Sequence, residues 1–387
     1  MNVQLDPEHL LLRETIRNFA RTEVAPGAAE RDRTGRFPAE LVAKLAGLGG
    51  MGICVPSEYG GAEMDAIASC ILVEELSRAD ASLGIVVSVQ NSLVIDPILK
   101  YATDQQKQEV LPKLASAEWI GCFSLTEPNY GSDATKISTS AVLKDDGWHI
   151  NGTKVFVTNG AEADLILLFA ATDSDEPKRR HSAFLVPKNT PGVTVSKHED
   201  KLGIRSTSTC ELVFDDAVAP ESALLGPRGE GIKVALHTID GGRLGVAAQA
   251  LGIASACLRD SIEYALERDA FGGKISGLQA IQWKMADMAA DIAAARALLY
   301  HGASLKARGE RYEMQSAMAK LFASETASRC ANHAVQIFGG YGYIKDFPVE
   351  RYLRDAKITE IYEGTSEIQR QTIARDLIRD PELVTRV

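Results

Sequence analysis

The sequence has no closely spaced pair of cysteines. Its six, Cys54, Cys70, Cys122, Cys210, Cys257 and Cys330, are scattered through 387 residues. Zinc sites draw on close ligand pairs, so this spacing argues against a metal centre. Isolated thiols in a long chain read as small buried hydrophobes in a reducing compartment. Positive charge is not in excess either: 42 Lys and Arg stand against 52 Asp and Glu, a formal net charge of −10. Nucleic-acid binding wants a basic face, and this balance speaks against it. The start, Met1-Asn2-Val3-Gln4-Leu5-Asp6, lacks the basic and apolar regions of a secretion signal. No uninterrupted apolar run reaches roughly 18 residues, so no membrane span is expected. Together these absences point to a cytoplasmic globular protein with neither nucleic acid nor membrane as partner.

What is present is a change of period along the chain. The apolar and charged fractions, 45% and 24%, are ordinary for a globular protein. The first third reads helical: Pro7 to Val24 places Leu10, Leu11, Ile16, Phe19 and Ala20 at helical spacing. Ala39 to Ala46, Asp65 to Ser77, the apolar Ser82 to Ile98 and Asp104 to Leu114 continue it. From Ile137 to Phe214 the pattern turns to strands, with Asp145-Asp146-Gly147 as a hairpin turn. Helical spacing returns over Gly231 to Arg268, Gly277 to Arg308 and Tyr312 to Phe338, with a last helix near Ser366. The order is helices, a β block, then long helices. It predicts domains over 1–118, 119–228 and 229–387. The basic run Lys178-Arg179-Arg180-His181, following Asp175-Glu176-Pro177, reads as a solvated loop. Gly47-Leu48-Gly49-Gly50-Met51-Gly52 spells GxGxxG, but a helix precedes it where the dinucleotide motif needs a strand. It reads as the loop after a helix.

Five segments could carry chemistry. In Ile361-Tyr362-Glu363-Gly364-Thr365-Ser366-Glu367-Ile368-Gln369-Arg370, Ser366 and Gln369 fit a capping box, so a helix should begin there. Glu363 would sit on irregular chain just before it, able to reach into a cleft, or simply favoured by the helix dipole. Phe123-Ser124-Leu125-Thr126-Glu127-Pro128-Asn129-Tyr130-Gly131-Ser132-Asp133 gathers hydroxyls and free N–H groups as a polar heterocycle would need, or is an ordinary turn. Phe156, Val157 and Thr158 offer a ring face and a hydroxyl. Arg268, with Phe271 and Gln279 beyond it, could meet a diphosphate, or Arg268 could be only a dipole partner. Gln336-Ile337-Phe338-Gly339-Gly340 ends in glycines that admit a ligand or cap a helix.

Taken in this order, the segments resemble the acyl-CoA dehydrogenase family over nearly the whole chain. The resemblance implies an N-terminal α-helical domain, a middle β-barrel-like domain and a C-terminal four-helix bundle. It implies FAD as cofactor. Phe123, Leu125, Thr126, Gly131, Ser132, Phe156, Val157 and Thr158 match its flavin-facing positions, and Thr365 and Glu367 match further FAD contacts. Arg268, Phe271, Gln279, Gln336, Ile337, Gly339 and Gly340 match positions that reach the FAD of a neighbouring subunit in a homotetramer, a dimer of dimers. Ser132, Asp240, Arg243, Tyr362 and Gly364 match acyl-CoA contacts. Electron-transferring flavoprotein is the implied electron acceptor.

By the same resemblance Glu363 is the general base, removing a proton from Cα of an acyl thioester while flavin N5 takes the Cβ hydride. Its backbone N–H would help hold the thioester oxygen, and substrate binding is expected to desolvate it and raise its pKa. Some branches place the base immediately before the matching Arg; here that residue is Gly242. The dicarboxylyl branch carries an Arg at the position of Gly84, so a neutral acyl chain is favoured. Phe156 departs from the Trp of many relatives. The segments Gln90-Asn91-Ser92-Leu93 and Asp240-Gly241-Gly242-Arg243 lean toward short-chain, butyryl-type members. An oxidase using dioxygen, or a dehydrogenase of carrier-protein-bound acyl groups, would use the same fold.

Overall fold

The computed structural model describes residues 5–173 and 180–385. Asp175 to Arg179 of the charged run lie outside them, as do Met1 to Gln4. The chain opens with helices α1 (Pro7–Phe19), α2 (Ala28–Thr34), α3 (Ala39–Gly47), α4 (Ala66–Ser77), α5 (Ala81–Ser88), α6 (Asp96–Tyr101) and α7 (Asp104–Ala115). Asp6, Asp65, Asp80 and Thr103 cap α1, α4, α5 and α7 by accepting from backbone N–H groups. After α3, Gly49 turns with φ of 77° into a short 3-10 turn, so the glycine-rich motif is indeed a post-helix loop.

The apolar stretch expected to be helical, Ser82 to Ile98, is helical and buried. Helix α5, a π-helical turn (Val89–Ile95) and α6 run on as a 21-residue stretch, Ala81–Tyr101, long and apolar enough to cross a bilayer, with mean hydropathy 1.5. Polar residues interrupt it, which is why no uninterrupted run was visible. It is a core helix, 89% buried over its most apolar part. Two of its buried polar side chains are satisfied inside: Gln90 donates to Leu114 O at 2.9 Å and accepts from Gly121 N at 2.8 Å, and Asn91 donates to Gly50 O at 2.9 Å.

The middle of the chain is an open eight-stranded sheet, not a closed barrel. Strands β1 (Gly121–Ser124), β2 (Ser140–Lys144), β3 (Gly147–Thr158), β4 (Leu165–Ala171), β5 (His181–Pro187), β6 (Val193–His198), β7 (Thr209–Ala219) and β8 (Leu224–Leu225) follow in sequence. Their order across the sheet is β6-β7-β3-β2-β4-β5-β8, with β1 parallel to β4. The expected hairpin joins β2 and β3, and Gly147 supplies its φ of 133°. Trp148, Ile166, Leu168, Phe184, Leu212 and Phe214 form the core of this layer. The strand expected from Ile137 starts at Ser140, because Ser138 and Thr139 bond to Glu127 instead.

Helices α8 (Gly231–Glu267), α9 (Gln279–Ala307), α10 (Glu313–Phe338), α11 (Val349–Thr359) and α12 (Ser366–Arg379) complete the chain. Helices α8, α9 and α10 pack on one another, α12 packs on α10, and α4 and α5 close against α8. Small residues set that closeness: a Cβ on Gly252 would stand 2.5 Å from Glu74 O and 2.7 Å from Ser77 Cβ. Helix α11 has no counterpart in the sequence reading.

Candidate active site

The loop between α11 and α12 is wound against its preference. Glu363 has φ of 52° and Gly364 φ of 93°. A left-handed residue with a Cβ costs roughly 1–2 kcal/mol, so surrounding bonds must hold it. They do so from three helices. Gln369 Nε2 of α12 donates to Glu363 O at 3.2 Å and to Gly364 O at 2.8 Å. Lys320 Nζ of α10 donates to the same Gly364 O at 2.8 Å. Tyr362 donates its hydroxyl to Gln249 Oε1 of α8. The expected capping box is corrected by this arrangement. Thr365 is the cap, accepting from Ile368 N at 3.4 Å, and Ser366 is the first helical residue. Gln369 is drawn away because its amide fastens the loop. Glu367 lies exposed in the first turn.

This winding turns the Glu363 side chain onto α8, where Gly242 leaves room for it. A Cβ at 242 would overlap Glu363 Oε2 and stand 2.7 Å from Leu93 Cδ2. The residue keeps some exposure, but Oε2 is fully shielded and has no hydrogen-bond partner. Burial raises the carboxyl pKa to about 8, against the pull of Lys320 and Arg243. That enclosure exists without substrate. Arg243 donates to Asp240 Oδ1 at 2.6 Å, while its buried Nε is unpartnered. Burial in turn lifts Asp240 to about 6 despite Arg243. Among the described residues, no acceptor pairs with the Glu363 N–H. A shielded carboxyl, a free N–H and an orphaned guanidinium nitrogen thus meet in one place.

The sheet carries a second group of the expected site residues. Glu127 is buried and accepts from Lys154 Nζ at 2.8 Å, Ser138 N at 2.7 Å and Thr139 N at 2.8 Å. Burial works against its charge, but these bonds prevail and its pKa falls to about 2. Glu127 thereby ties the Thr126–Ser132 turn to β3, and Val155 N donates to Thr126 O at 2.9 Å. The register of β3 slips between Lys154 and Val157, and Phe156 sits in that bulge with φ of 56° and 65% exposure. An exposed aromatic ring on a strained bulge is what a flat ligand could stack on. Leu125 and Val157 are buried, Phe123 packs on Phe169, and Thr126 and Thr158 are half-buried. Gly131 and Ser132 are exposed.

The remaining residues lie elsewhere. Gly242 and Arg268 are on and at the end of one unbroken helix, 26 residues apart, which is about 39 Å of helix axis. Lys320 and Gln336 are 16 residues apart on α10, about 24 Å. The chain therefore does not bring Arg268, Phe271, Gln279, Gln336, Ile337, Gly339 and Gly340 to its own Glu363. Of these, Arg268, Ile337, Gly339 and Gly340 line a separate groove of about 470 Å³, in which Arg268 stands 5.5 Å from the ring centroid of Tyr341, while Phe271, Gln279 and Gln336 do not line it. Gly339 and Gly340 open onto space, Ile337 is buried, and Phe271 is 94% exposed with φ of 53°. A cation beside open glycines could hold a diphosphate. Among the described residues, no cluster could hold a metal ion.

Three site residues escaped the sequence reading: Lys320, Gln369 in its latching role, and Gln249. The signal for Lys320 was a lysine centred among Ser316, Ala317, Ala323 and Ser324, small residues that would leave it no solvent.

Comparison with known proteins was made against this geometry. Three family models match in order: the acyl-CoA dehydrogenase N-terminal domain over residues 6–118, the middle domain over 122–217 and the C-terminal domain over 229–378. The chain belongs to the acyl-CoA dehydrogenase family. Within it, the short-chain specific acyl-CoA dehydrogenase, mitochondrial, of Mus musculus is 49% identical over 378 residues, covering 98% of this chain and 92% of that protein. The butyryl-CoA dehydrogenase structure from Megasphaera elsdenii matches with a TM-score of 0.95 and 42% identity, covering 98% of this chain and 100% of that one. A chain of the structure described as "Electron transferring flavoprotein of Acidaminococcus fermentans: Towards a mechanism of flavin-based electron bifurcation" matches with a TM-score of 0.96 and 46% identity, covering 98% and 100%.

Proposed function

We propose that this protein oxidises a short, neutral acyl-CoA to its trans-2-enoyl product, with Glu363 taking the α proton. As a member of its family the chain is an acyl-CoA dehydrogenase, and its cofactor is FAD. The observation that carries the reading is the shielded, unpartnered Oε2 of Glu363 in the space left by Gly242. A base that works near neutrality needs a carboxyl raised from its ordinary value, and burial raises this one to about 8. The free Glu363 N–H is available to donate to the thioester oxygen, where negative charge gathers as the proton leaves.

The residues present fit the cofactor. Phe156 offers a ring face, Thr126 and Thr158 offer hydroxyls, and the distant Arg268 groove suits the diphosphate of a neighbouring subunit's FAD. Bound FAD supplies the acceptor for the hydrogen leaving Cβ. Helix distances of about 39 Å and about 24 Å support a site completed by a second chain, hence an oligomer, for which we adopt the family's tetramer. Ile262, Leu266 and Trp283 are exposed on the bundle and fit subunit contact.

Short chain length rests on the short-chain and butyryl-type relatives. A neutral tail rests on Gly84, which carries no charge itself and has Ser77 Oγ as its nearest neighbour. Electron-transferring flavoprotein is the proposed acceptor, by similarity to the Acidaminococcus fermentans structure. Six unpaired cysteines suit the reducing cytoplasm.

Anaerobic mixing of the yellow protein with butyryl-CoA tests the reading. Flavin bleaching that disappears in Glu363→Gln is expected. Equal bleaching in both would overturn the assignment of the base, and none in either would overturn the short-chain substrate.

A further inference from the structure

We propose that Lys320 is a positioning residue for Glu363, fastening its loop through the Gly364 carbonyl and supplying the uncommitted cation that faces its carboxylate. The inference rests on Glu363 being the base. Lys320 is fully buried on α10, on a face of buried Ser316, Ala317, Ala323 and Ser324. A methionine would fill that space and hold the helix at no cost in desolvated charge. What only a lysine brings is a donor and a positive charge. Its one hydrogen bond, 2.8 Å to Gly364 O, falls on the residue that follows the base. Among the described residues it makes no ion pair, so its charge is answered there by the carboxylates that face it.

Those carboxylates are Glu360, Glu363 and Glu367, and the other groups around them are already engaged. Glu360 is held by Lys357 at 2.6 Å and by Ser328. Glu367 is exposed and near Arg370. Arg243, on α8, is paired with Asp240 at 2.6 Å. Tyr362 faces Glu363 but spends its hydroxyl on Gln249. Glu363 alone has a shielded oxygen without a partner, and Lys320 is the nearby cation without a carboxylate. Electrostatics agrees. Burial lowers Lys320 to about 8, with Glu363 as its first opposing influence. Burial raises Glu363 to about 8, with Lys320 as its first opposing influence. Each group keeps the other from being neutralised further.

The test separates charge from hydrogen bonding. The Glu363 carboxyl is titrated by infrared difference spectroscopy in the flavin-loaded protein, its band assigned by loss in Glu363→Gln. Lys320→Met and Lys320→Gln are compared with the parent. Both are expected to raise the carboxyl midpoint by about one pH unit or more. The acid limb of the butyryl-CoA reduction profile should move by the same amount. Lys320→Gln, which keeps a donor for Gly364 O, should retain more of the alkaline plateau rate than Lys320→Met. A midpoint unchanged in folded, flavin-loaded variants overturns the proposal.

Should neither variant fold, the Lys320 ammonium is titrated by nitrogen NMR in the parent and in Glu363→Gln. Its pKa must fall when the carboxylate is removed, and an unchanged value overturns the proposal. If Glu363→Gln still bleaches flavin, the base assignment fails, while the titrations still judge the Lys320–Glu363 coupling on its own.

Discussion

Gly242 on α8 and Glu363 on the α11–α12 loop share one space: the volume that a side chain at 242 would fill is occupied by the Glu363 carboxylate. The two positions are alternatives, and the sequence commits to the loop. A Gly242→Ala variant puts a methyl against Glu363 Oε2 and close to Leu93. The carboxylate must then swing away, and a displacement near 1 Å can cost about 10²-fold in rate. We expect flavin content to persist and the rate of anaerobic reduction by butyryl-CoA to drop by about that factor. A rate within threefold of the parent would mean the working carboxylate lies elsewhere.

How much of this was open to a reader of the sequence follows from the range of each interaction. Long helices announce themselves through spacing, and α8 was bounded to within one residue. Glu363 was legible because local signs, a glycine after it and a helix start beyond, mark an irregular carrier. Lys320, Gln249 and Gln369 were not, because their roles depend on partners 44, 113 and 5 residues away. Even the shortest of those was misread, since a Gln three residues after a Ser imitates a capping box. Helix α11 was missed although Val349, Tyr352 and Ala356 stand at helical spacing, because the segment Val349–Thr359 is short and dense in charged residues. The assignment of the Arg268 groove to a second subunit came from resemblance, and the lengths of α8 and α10 supply the physical reason for proposing it.

Glu363 should make the protein less stable as pH rises. Its pKa is about 8 in the fold against 4.5 as the ordinary value. Between those values the native state holds a proton that the unfolded chain has released, so stability falls with increasing pH across that window. Glu363→Gln has no such proton. The variant should match the parent near pH 4.5 and exceed it increasingly up to about pH 8, by at least about 1 kcal/mol. Thermal midpoints measured at half-unit steps of pH decide this. Parallel curves would show that the carboxyl is not raised in the fold.

The Glu127–Lys154 pair should behave in the opposite sense. Glu127 is held down to about 2, so its contribution is complete above about 4.5 and is lost as pH falls from there toward about 2. Glu127→Gln leaves Lys154, fully buried, with an uncompensated charge. Removing one member of a buried pair costs about 3–5 kcal/mol. Urea unfolding at pH 7 should show a loss of that order. The double variant Glu127→Gln, Lys154→Met should regain part of it, since no charge is then stranded. Additive losses would place the two residues out of contact.

The helix distances make a sharper prediction about assembly. If Arg268 of one chain serves the site that holds Glu363 of another, the two residues can be disabled separately and restored together. Chains carrying Glu363→Gln should be inactive whatever their flavin content. Chains carrying Arg268→Ala should load FAD poorly, because a charge-assisted contact to a diphosphate is lost. Co-expressed with distinct tags and purified through both, the mixed assembly contains sites that pair an intact Glu363 with an intact Arg268. In a dimer formed of one chain of each kind, one such site exists and the other is doubly impaired. Reduction by butyryl-CoA should therefore recover to about half the parental amplitude, a fraction fixed by the two-chain geometry that helices of this length impose. If the mixed assembly stays as inactive as its parents, Arg268 serves its own chain's site, and the groove at Gly339 and Gly340 has a different occupant.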